Sequence, residues 1–180
     1  YEARLAPAVF EPWARVLVDS AEVGAGANVL DLASGTGVVA RLAARRVGIN
    51  GRVVAADVSA AMLTHAASIA SAVDAAPIEY LEAPADDLPI QSESFDVVLC
   101  QQGLQFFGEQ PAAVGEIRRV LRPGGVAALS VWAANARLEP FGDYGEAVES
   151  IGIEPPFPRA FDSQSFTMEP DEVRALLEAA

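Results

Sequence analysis

Between about residues 28 and 132, short apolar segments alternate with amphipathic helical segments. Neighbouring parallel strands need a crossover connection, usually a helix, so this alternation is typical of a parallel, doubly wound sheet with helices on both faces. The predicted fold class is therefore α/β, with three α/β/α layers. We predict strands at residues 28–32, 52–56, 78–81, 95–100 and 126–132.

Apolar residues spaced three or four apart predict the helices. The helix predicted for residues 8–23 carries the apolar stripe Val9, Phe10, Trp13, Val16 and Leu17. Ser59 is a good N-cap for a later helix, whose predicted buried face is Met62, Ala66, Ile69, Ala70 and Val73. Further helices are predicted at residues 38–46 and 112–121.

Residues 1–133 are predicted to form a core with its N-terminal helix. Residues 134–180 have little periodicity, and we predict a loop-rich insertion or lid there with one helix near residues 144–151, followed by the start of the C-terminal part of the same domain. The chain begins at Tyr1 without a methionine and stops at Ala180, inside a helix that starts near Asp171. We expect it to be part of a longer protein.

Composition narrows the classes of function. The formal net charge of −13 disfavours nucleic acid and anionic membranes as partners, which leaves a small molecule as the expected substrate. The single cysteine, Cys100, cannot form a disulfide within the chain or a cysteine zinc cluster, and we assign no metal ligands. Apolar runs are too short to span a bilayer and no signal segment is evident, so we expect a cytoplasmic protein.

The segment Asp31–Gly37 is the strongest local motif. Its glycines let the backbone approach a ligand closely, and the helix that follows presents free N–H groups to a negative group. Asp57 lies about twenty residues beyond Gly37, where an acidic residue can hold a ribose diol. The pattern fits a dinucleotide or another adenosine cofactor equally well.

Three further blocks resemble class I S-adenosylmethionine-dependent methyltransferases, specifically the methyltransferase type 11 branch that includes ubiquinone and menaquinone biosynthesis enzymes. The blocks are Asp57–Leu63, Asp87–Pro89 followed by Ser94–Val98, and Leu121–Gly125. Their order and spacing match the family from about residue 24 to 133. The resemblance implies a Rossmann-like core, S-adenosyl-L-methionine as cofactor and in-line methyl transfer to a small molecule that the sequence does not identify.

The resemblance also implies a role for individual residues. Residues 33–37 should line the methionine end of the cofactor, Asp57 should hold the ribose, and Val58 and Met62 should lie against adenine. The stretch 100–102 should pass under the sulfonium. The full set of implied cofactor-binding residues is Asp31, Ala33, Ser34, Gly35, Thr36, Gly37, Asp57, Val58, Met62, Ala85, Asp86, Cys100, Gln101, Gln102 and Gln105.

The sequence departs from the family pattern at three positions. Ala33 replaces the first glycine of the turn. Pro84 stands where an acidic residue often faces adenine, and Asp86 could substitute for it. Gln105 replaces a common histidine, so a histidine base cannot act there, and we assign no catalytic residue.

Two alternatives stay open: a non-catalytic domain that binds S-adenosylmethionine, and an NAD-dependent oxidoreductase on the same sheet. His65 is predicted to be a surface or packing residue, and Cys100 a small buried residue. The resemblance further implies a seven-stranded sheet, whose last two strands would follow the helix near Asp171. We therefore expect an added strand pair, or another element, to cover the edge of residues 126–132.

Overall fold

The computed structural model describes residues 9–132 and 167–179. The predicted helix at residues 144–151 and most of the predicted insertion lie outside these ranges. The helices are α1 Glu11–Ser20, α2 Val38–Val47, α3 Ala60–Ser68, α4 Gln110–Val120 and α5 Pro170–Ala179. The strands are β1 Asn28–Leu32, β2 Arg52–Asp57, β3 Ile78–Glu82, β4 Phe95–Gln101 and β5 Leu121–Ser130.

Within the described residues, the five strands form one sheet in the order β3-β2-β1-β4-β5, and all neighbouring strands run parallel. The predicted α/β doubly wound fold is therefore confirmed. One apolar cluster lies between the sheet and helices α1 and α2, and a second lies on the opposite face, where α4 packs. β1 occupies the centre of the sheet, with β2 on one side and β4 on the other.

The fifth strand begins earlier than predicted, at Leu121 rather than Val126. Leu121 pairs with Phe95 and Val126 pairs with Val97, so β5 carries extra residues that bulge out between these pairs. Gly124 has a φ of 81° in this bulge. A turn signal such as Pro-Gly-Gly can therefore lie within a strand, because a bulge absorbs it.

The outer edge of β5 is only lightly covered in the described residues. There, β5 pairs with β4 alone, Val126 is 43% exposed, and a single parallel bridge joins Trp132 to Thr167. The additional strands that the resemblance implies are not tested by these residues and stay a prediction.

The predicted buried faces of two helices were partly wrong. In α1, Trp13 and Val16 are more than half exposed, and the buried residues are Ala14, Leu17 and Val18. In α3, Leu63 and Ala66 face the core, whereas Met62 is 41% exposed. That helix ends at Ser68, because the backbone of the next residue is extended, and Val73 beyond it is 97% exposed. His65 is exposed, as predicted.

The loop before β4 is held against α4 by an ion pair. Arg119 contacts Glu116 at 2.6 Å and donates to the carbonyl oxygens of Leu88 and Ile90, while Glu116 accepts from the backbone N–H of Leu88. These bonds satisfy both backbone groups of Leu88, whose apolar side chain is buried in the core.

Replacing Arg119 with methionine should lower the free energy of unfolding by about 1–2 kcal/mol, because the loop carbonyls and Glu116 lose a charged partner. Urea unfolding of the variant and the wild type measures the difference. Arg45→Met, on the exposed side of α2, serves as the control and should change stability by less than about 0.5 kcal/mol. Equal losses in both variants would contradict a clamping role for Arg119.

Candidate functional site

The carboxyl ends of β1, β2 and β4 meet at one edge of the sheet. In an open parallel sheet, ligands bind at this edge, where the strand order reverses. Here that point lies between β1 and β4, because the chain passes from β1 outward to β2 and β3 before it returns to β4. The predicted site residues lie at the carboxyl ends of these strands or in the segments that follow them and β3, so the fold brings them to one edge.

A tight turn connects β1 to α2. Ala33, Gly35 and Gly37 have φ angles of 57°, 53° and 78°, and the N–H of Gly37 donates to the carbonyl of Ser34 at 2.8 Å. A β-carbon at Gly35 would meet no protein atom within 4 Å, which leaves that side of the turn open to a ligand. Ala33 adopts the left-handed conformation without being glycine, at a cost of about 1 kcal/mol.

Asp57 braces this turn from the end of β2. Its Oδ2 accepts from the backbone N–H of Gly35 at 2.8 Å, and its Oδ1 accepts from the N–H of Ser59 at 2.8 Å. The carboxylate therefore joins the glycine turn to the start of α3. Sequence reasoning assigned Asp57 a ligand role alone and missed this contact.

Asp31 lies beneath the turn and is only 1% exposed. Its Oδ2 accepts from the N–H of Ala40, in the first turn of α2, at 2.8 Å. Burial raises the pKa of Asp31 to about 8, and the charge of Asp57 adds to this, while the Ala40 hydrogen bond and the charge of Arg41 oppose it. At neutral pH the Asp31 carboxyl group is therefore mostly protonated.

Cys100 is fully buried, as predicted for a small packing residue. Burial raises the pKa of its thiol to about 12, with a smaller contribution from the charge of Asp31. Because the thiolate is the nucleophilic form, Cys100 is inert at neutral pH.

An apolar shelf lies beside Asp57. It consists of Val58, which follows β2 and is 72% exposed, and Met62, which lies in the first turn of α3 and is 41% exposed. The segment after β3 reaches the same place, since the N–H of Ala83 donates to the carbonyl of Asp57 at 3.1 Å. Ala85 and Asp86 follow two and three residues later, and Asp86 is exposed.

The chain leaves β4 through a close contact with the glycine turn. A β-carbon at Gly103 would lie 2.6 Å from Cβ of Ala33 and 2.8 Å from Sγ of Cys100, so only glycine fits there. Gln102, one residue earlier, has a φ of 53°, and its N–H donates to the carbonyl of Ser130 at 2.7 Å. Gly103 was not identified from the sequence, because no motif marks a contact between residues so far apart in the chain.

Five buried polar side-chain atoms lack a hydrogen-bond partner in the part of the chain that the structure describes. They are Ser34 Oγ, Gln102 Oε1, Gln105 Nε2, Gln105 Oε1 and Ser130 Oγ. Leaving such an atom unpaired costs about 1–3 kcal/mol, so buried polar groups are nearly always paired. All five lie after the carboxyl ends of β1 and β4 or at the end of β5, which indicates a polar ligand at this edge.

In residues 9–132 and 167–179, no group of three or more His, Cys, Asp and Glu side chains is placed so that it could hold a metal ion. In the same ranges no helix is long and apolar enough to cross a bilayer. The arrangement offers a carboxylate beside an apolar shelf, together with an open turn at a helix N-terminus. The Asp57 carboxylate suits a ribose, and the apolar shelf suits an adenine ring. The open turn at the helix N-terminus suits a carboxylate of the ligand.

A family model described as a methyltransferase domain matches residues 29–125. The chain is 40% identical over 114 residues to the ubiquinone/menaquinone biosynthesis C-methyltransferase UbiE of Hahella chejuensis, covering 63% of this chain and 46% of that protein. The UbiE protein of Xylella fastidiosa is 36% identical over 127 residues, covering 70% and 50%. The chain thus spans about half the length of the curated relatives it matches.

A solved structure, a SAM-dependent methyltransferase from Aquifex aeolicus, shares the fold with a TM-score of 0.64 and 21% identity over 78% of this chain and 79% of that one. An S-adenosylmethionine-dependent methyltransferase from Mesorhizobium loti is 26% identical with a TM-score of 0.56, covering 68% and 53%.

Proposed function

Because the chain belongs to the methyltransferase domain family, we propose that it binds S-adenosylmethionine and transfers the cofactor's methyl group to a small molecule. The single observation that carries the proposal is the carboxylate of Asp57 beside the exposed side chains of Val58 and Met62. A carboxylate next to an apolar shelf suits a ribose and its adenine base. The name of the similar Mesorhizobium loti protein, an S-adenosylmethionine-dependent methyltransferase, supports S-adenosylmethionine as the molecule bound.

The predicted cofactor contacts become proposals on this geometry. The turn from Ala33 to Gly37 holds the methionine end, and Asp31 stabilises that turn from below. Asp57 binds the ribose hydroxyls, while Val58, Met62, Ala85 and Asp86 surround the adenine. The reacting sulfonium lies near Cys100, Gln101 and Gln102, and Gln105 lies near the methionine end. Gln101 contributes through its backbone, because its side-chain amide already donates to the carbonyl of Phe10 at 3.0 Å.

When bound, the cofactor supplies an activated methyl group that a lone-pair nucleophile displaces in line. The residues of this chain supply orientation and a site with little water. Among the described residues, the buried carboxyl of Asp31 in β1 and the buried thiol of Cys100 in β4 both have raised pKa values, so neither is a strong base at neutral pH.

The acceptor's identity is a finer proposal. The named relatives are C-methyltransferases of quinone biosynthesis, which makes an electron-rich carbon of a quinone precursor the first acceptor class to test. The net charge of −13 favours a small molecule over nucleic acid, because the surface repels a phosphate backbone.

Calorimetric titration should show that the protein binds S-adenosylhomocysteine, and that NAD binds at least about tenfold more weakly, a difference of about 1.4 kcal/mol. Equal or tighter binding of NAD would end the proposal in favour of a dinucleotide enzyme. Methylated product from a panel of quinone precursors, followed by mass spectrometry, then distinguishes an enzyme from a non-catalytic binding domain.

A further inference from the structure

We propose that Glu116 and Arg119 of α4 are positioning residues for the adenine base, because they hold the loop between β3 and β4 in the shape that contacts the base. The two side chains act through the loop and do not touch the ligand. The inference rests on the proposed function, in which Ala85 and Asp86 of this loop lie against adenine. An ion pair that stabilises the fold thereby also sets the affinity for one part of the ligand.

The loop that carries the proposed base contacts is anchored at two points. At its start, the N–H of Ala83 donates to the carbonyl of Asp57 at 3.1 Å, and the side chain of Ala83 is buried. Farther along, the side chain of Leu88 is buried in the core. Between these points, residues 84–87 make no hydrogen bond to any other described helix or strand. The position of the base contacts therefore depends on the two anchors.

The ion pair forms the polar part of the second anchor. The N–H of Leu88 donates to Oε2 of Glu116 at 2.8 Å. The guanidinium of Arg119 donates to the carbonyl oxygens of Leu88 at 3.0 Å and of Ile90 at 2.6 Å. Arg119 also donates to both carboxylate oxygens of Glu116, each at 2.6 Å, so the two charged groups hold each other in place. Hydrogen bonds of this charge-assisted kind are about twice as strong as neutral ones.

The ion pair lies away from the proposed ligand site. The carbonyl of Arg119 accepts from the N–H of Glu93 at 2.9 Å, just before β4 begins at Phe95, whereas the ligand site lies at the opposite end of that strand. The hydrogen bond between the two side chains raises the pKa of Arg119 and lowers that of Glu116, so both stay charged at neutral pH. Their effect on a ligand must therefore pass through the loop.

Holding the loop in place has a different consequence for each part of the ligand. A loop that is already in its binding shape loses less conformational freedom when the ligand arrives. Without the ion pair, the base has to order residues 84–87 as it binds, which weakens the affinity of ligands that carry adenine. In the proposed function, Asp57 and the glycine turn hold the ribose and the methionine end, and the ion pair contacts neither. A general loss of stability would not distinguish these parts of the ligand.

Three ligands that carry different parts of the cofactor test this role. S-adenosylhomocysteine has all parts, 5′-methylthioadenosine lacks the amino-acid end, and S-ribosylhomocysteine lacks the base. In Arg119→Met, the Kd of both adenine-bearing ligands should rise about tenfold, whereas the Kd of S-ribosylhomocysteine should change by less than about twofold. NMR titration of the folded proteins measures all three affinities, including weak ones. Equal losses for the three ligands, or no loss for any, would refute this inference alone.

Further variants assign the effect to the ion pair. Glu116→Gln keeps an oxygen that can accept from the N–H of Leu88 but removes the charge, and it should give the same pattern at about threefold. It covers the case in which Arg119→Met does not fold. Arg45→Met, on the exposed side of α2, is the matched control and should change none of the three affinities.

The wild type separates a failure of this inference from a failure of the proposed function. A wild type that binds S-adenosylhomocysteine but not S-ribosylhomocysteine at 10 mM would overturn the inference, because the ribose and methionine end would then not be held independently of the base. A wild type that does not bind S-adenosylhomocysteine would refute the proposed function as well.

Discussion

Replacing Asp31 with asparagine is expected to abolish a fall in stability that the ligand-free wild type shows between about pH 5 and pH 8. Burial raises the pKa of Asp31 to about 8 in the folded protein, against an ordinary value of 3.8. Between these values the folded state holds one proton more than the unfolded state. The free energy of unfolding therefore decreases with rising pH, by up to about 1.4 kcal/mol per pH unit, and levels off above about pH 8.

Other carboxylates make the free energy of unfolding rise with pH, but they do so in a lower pH range. Glu79, Asp96 and Glu116 each have a lowered pKa, chiefly through hydrogen bonds to arginine or backbone groups, so their contribution is lost below about pH 4. Urea unfolding at pH 5, 6, 7 and 8 isolates Asp31 from these groups. Asp74→Asn removes an exposed carboxylate and should keep the wild-type slope. A wild type equally stable at pH 5 and pH 8 would show that Asp31 is ionised in the fold.

Most of the strands could be predicted because they are short, mainly apolar segments between polar or glycine-containing turns, whereas the bulge at the start of β5 hid that strand's first residues. The buried face of α1 could not be predicted in this way. The sequence contains two overlapping stripes, one with the bulky Trp13 and Val16, and one with Ala14, Leu17 and Val18. The second is buried, because small alanines let α1 approach α2 and the sheet closely. Side-chain size misled the prediction, since hydrophobicity does not show which face fits the space available.

The site residues that belong to local sequence motifs could be predicted. The contacts that the fold makes between distant residues could not. The glycine turn and Asp57 are recognisable from their residue types and from their spacing in the sequence. The bond from the N–H of Gly35 to Asp57 joins residues 22 apart, and no local pattern encodes it. The unpartnered side-chain atoms of Gln102 and Gln105 are likewise invisible in the sequence, because a residue's identity does not show whether its polar atoms are buried.

Replacing Asp57 with alanine should weaken the binding of S-adenosylhomocysteine about 100-fold, close to 3 kcal/mol, the largest effect expected of any single side chain in the site. Two losses combine in this variant. The ribose hydroxyls lose a charged acceptor, and the N–H groups of Gly35 and Ser59 lose the carboxylate that fixes the turn. Asp57→Asn keeps one oxygen for the turn and should cost about tenfold. Asp74→Ala, an exposed carboxylate elsewhere, should leave the affinity unchanged.

A thermodynamic cycle with 2′-deoxy-S-adenosylhomocysteine separates the two losses. If Asp57 binds the ribose, removing the 2′-hydroxyl should weaken binding to the wild type but have little further effect on Asp57→Ala, because the partner is already gone. If Asp57 only braces the turn, the two changes should add. Hydrogen exchange of the Gly35 amide reports the bracing directly, and it should accelerate in Asp57→Ala even without ligand. Additive losses together with faster exchange would reassign Asp57 from ligand binding to support of the turn.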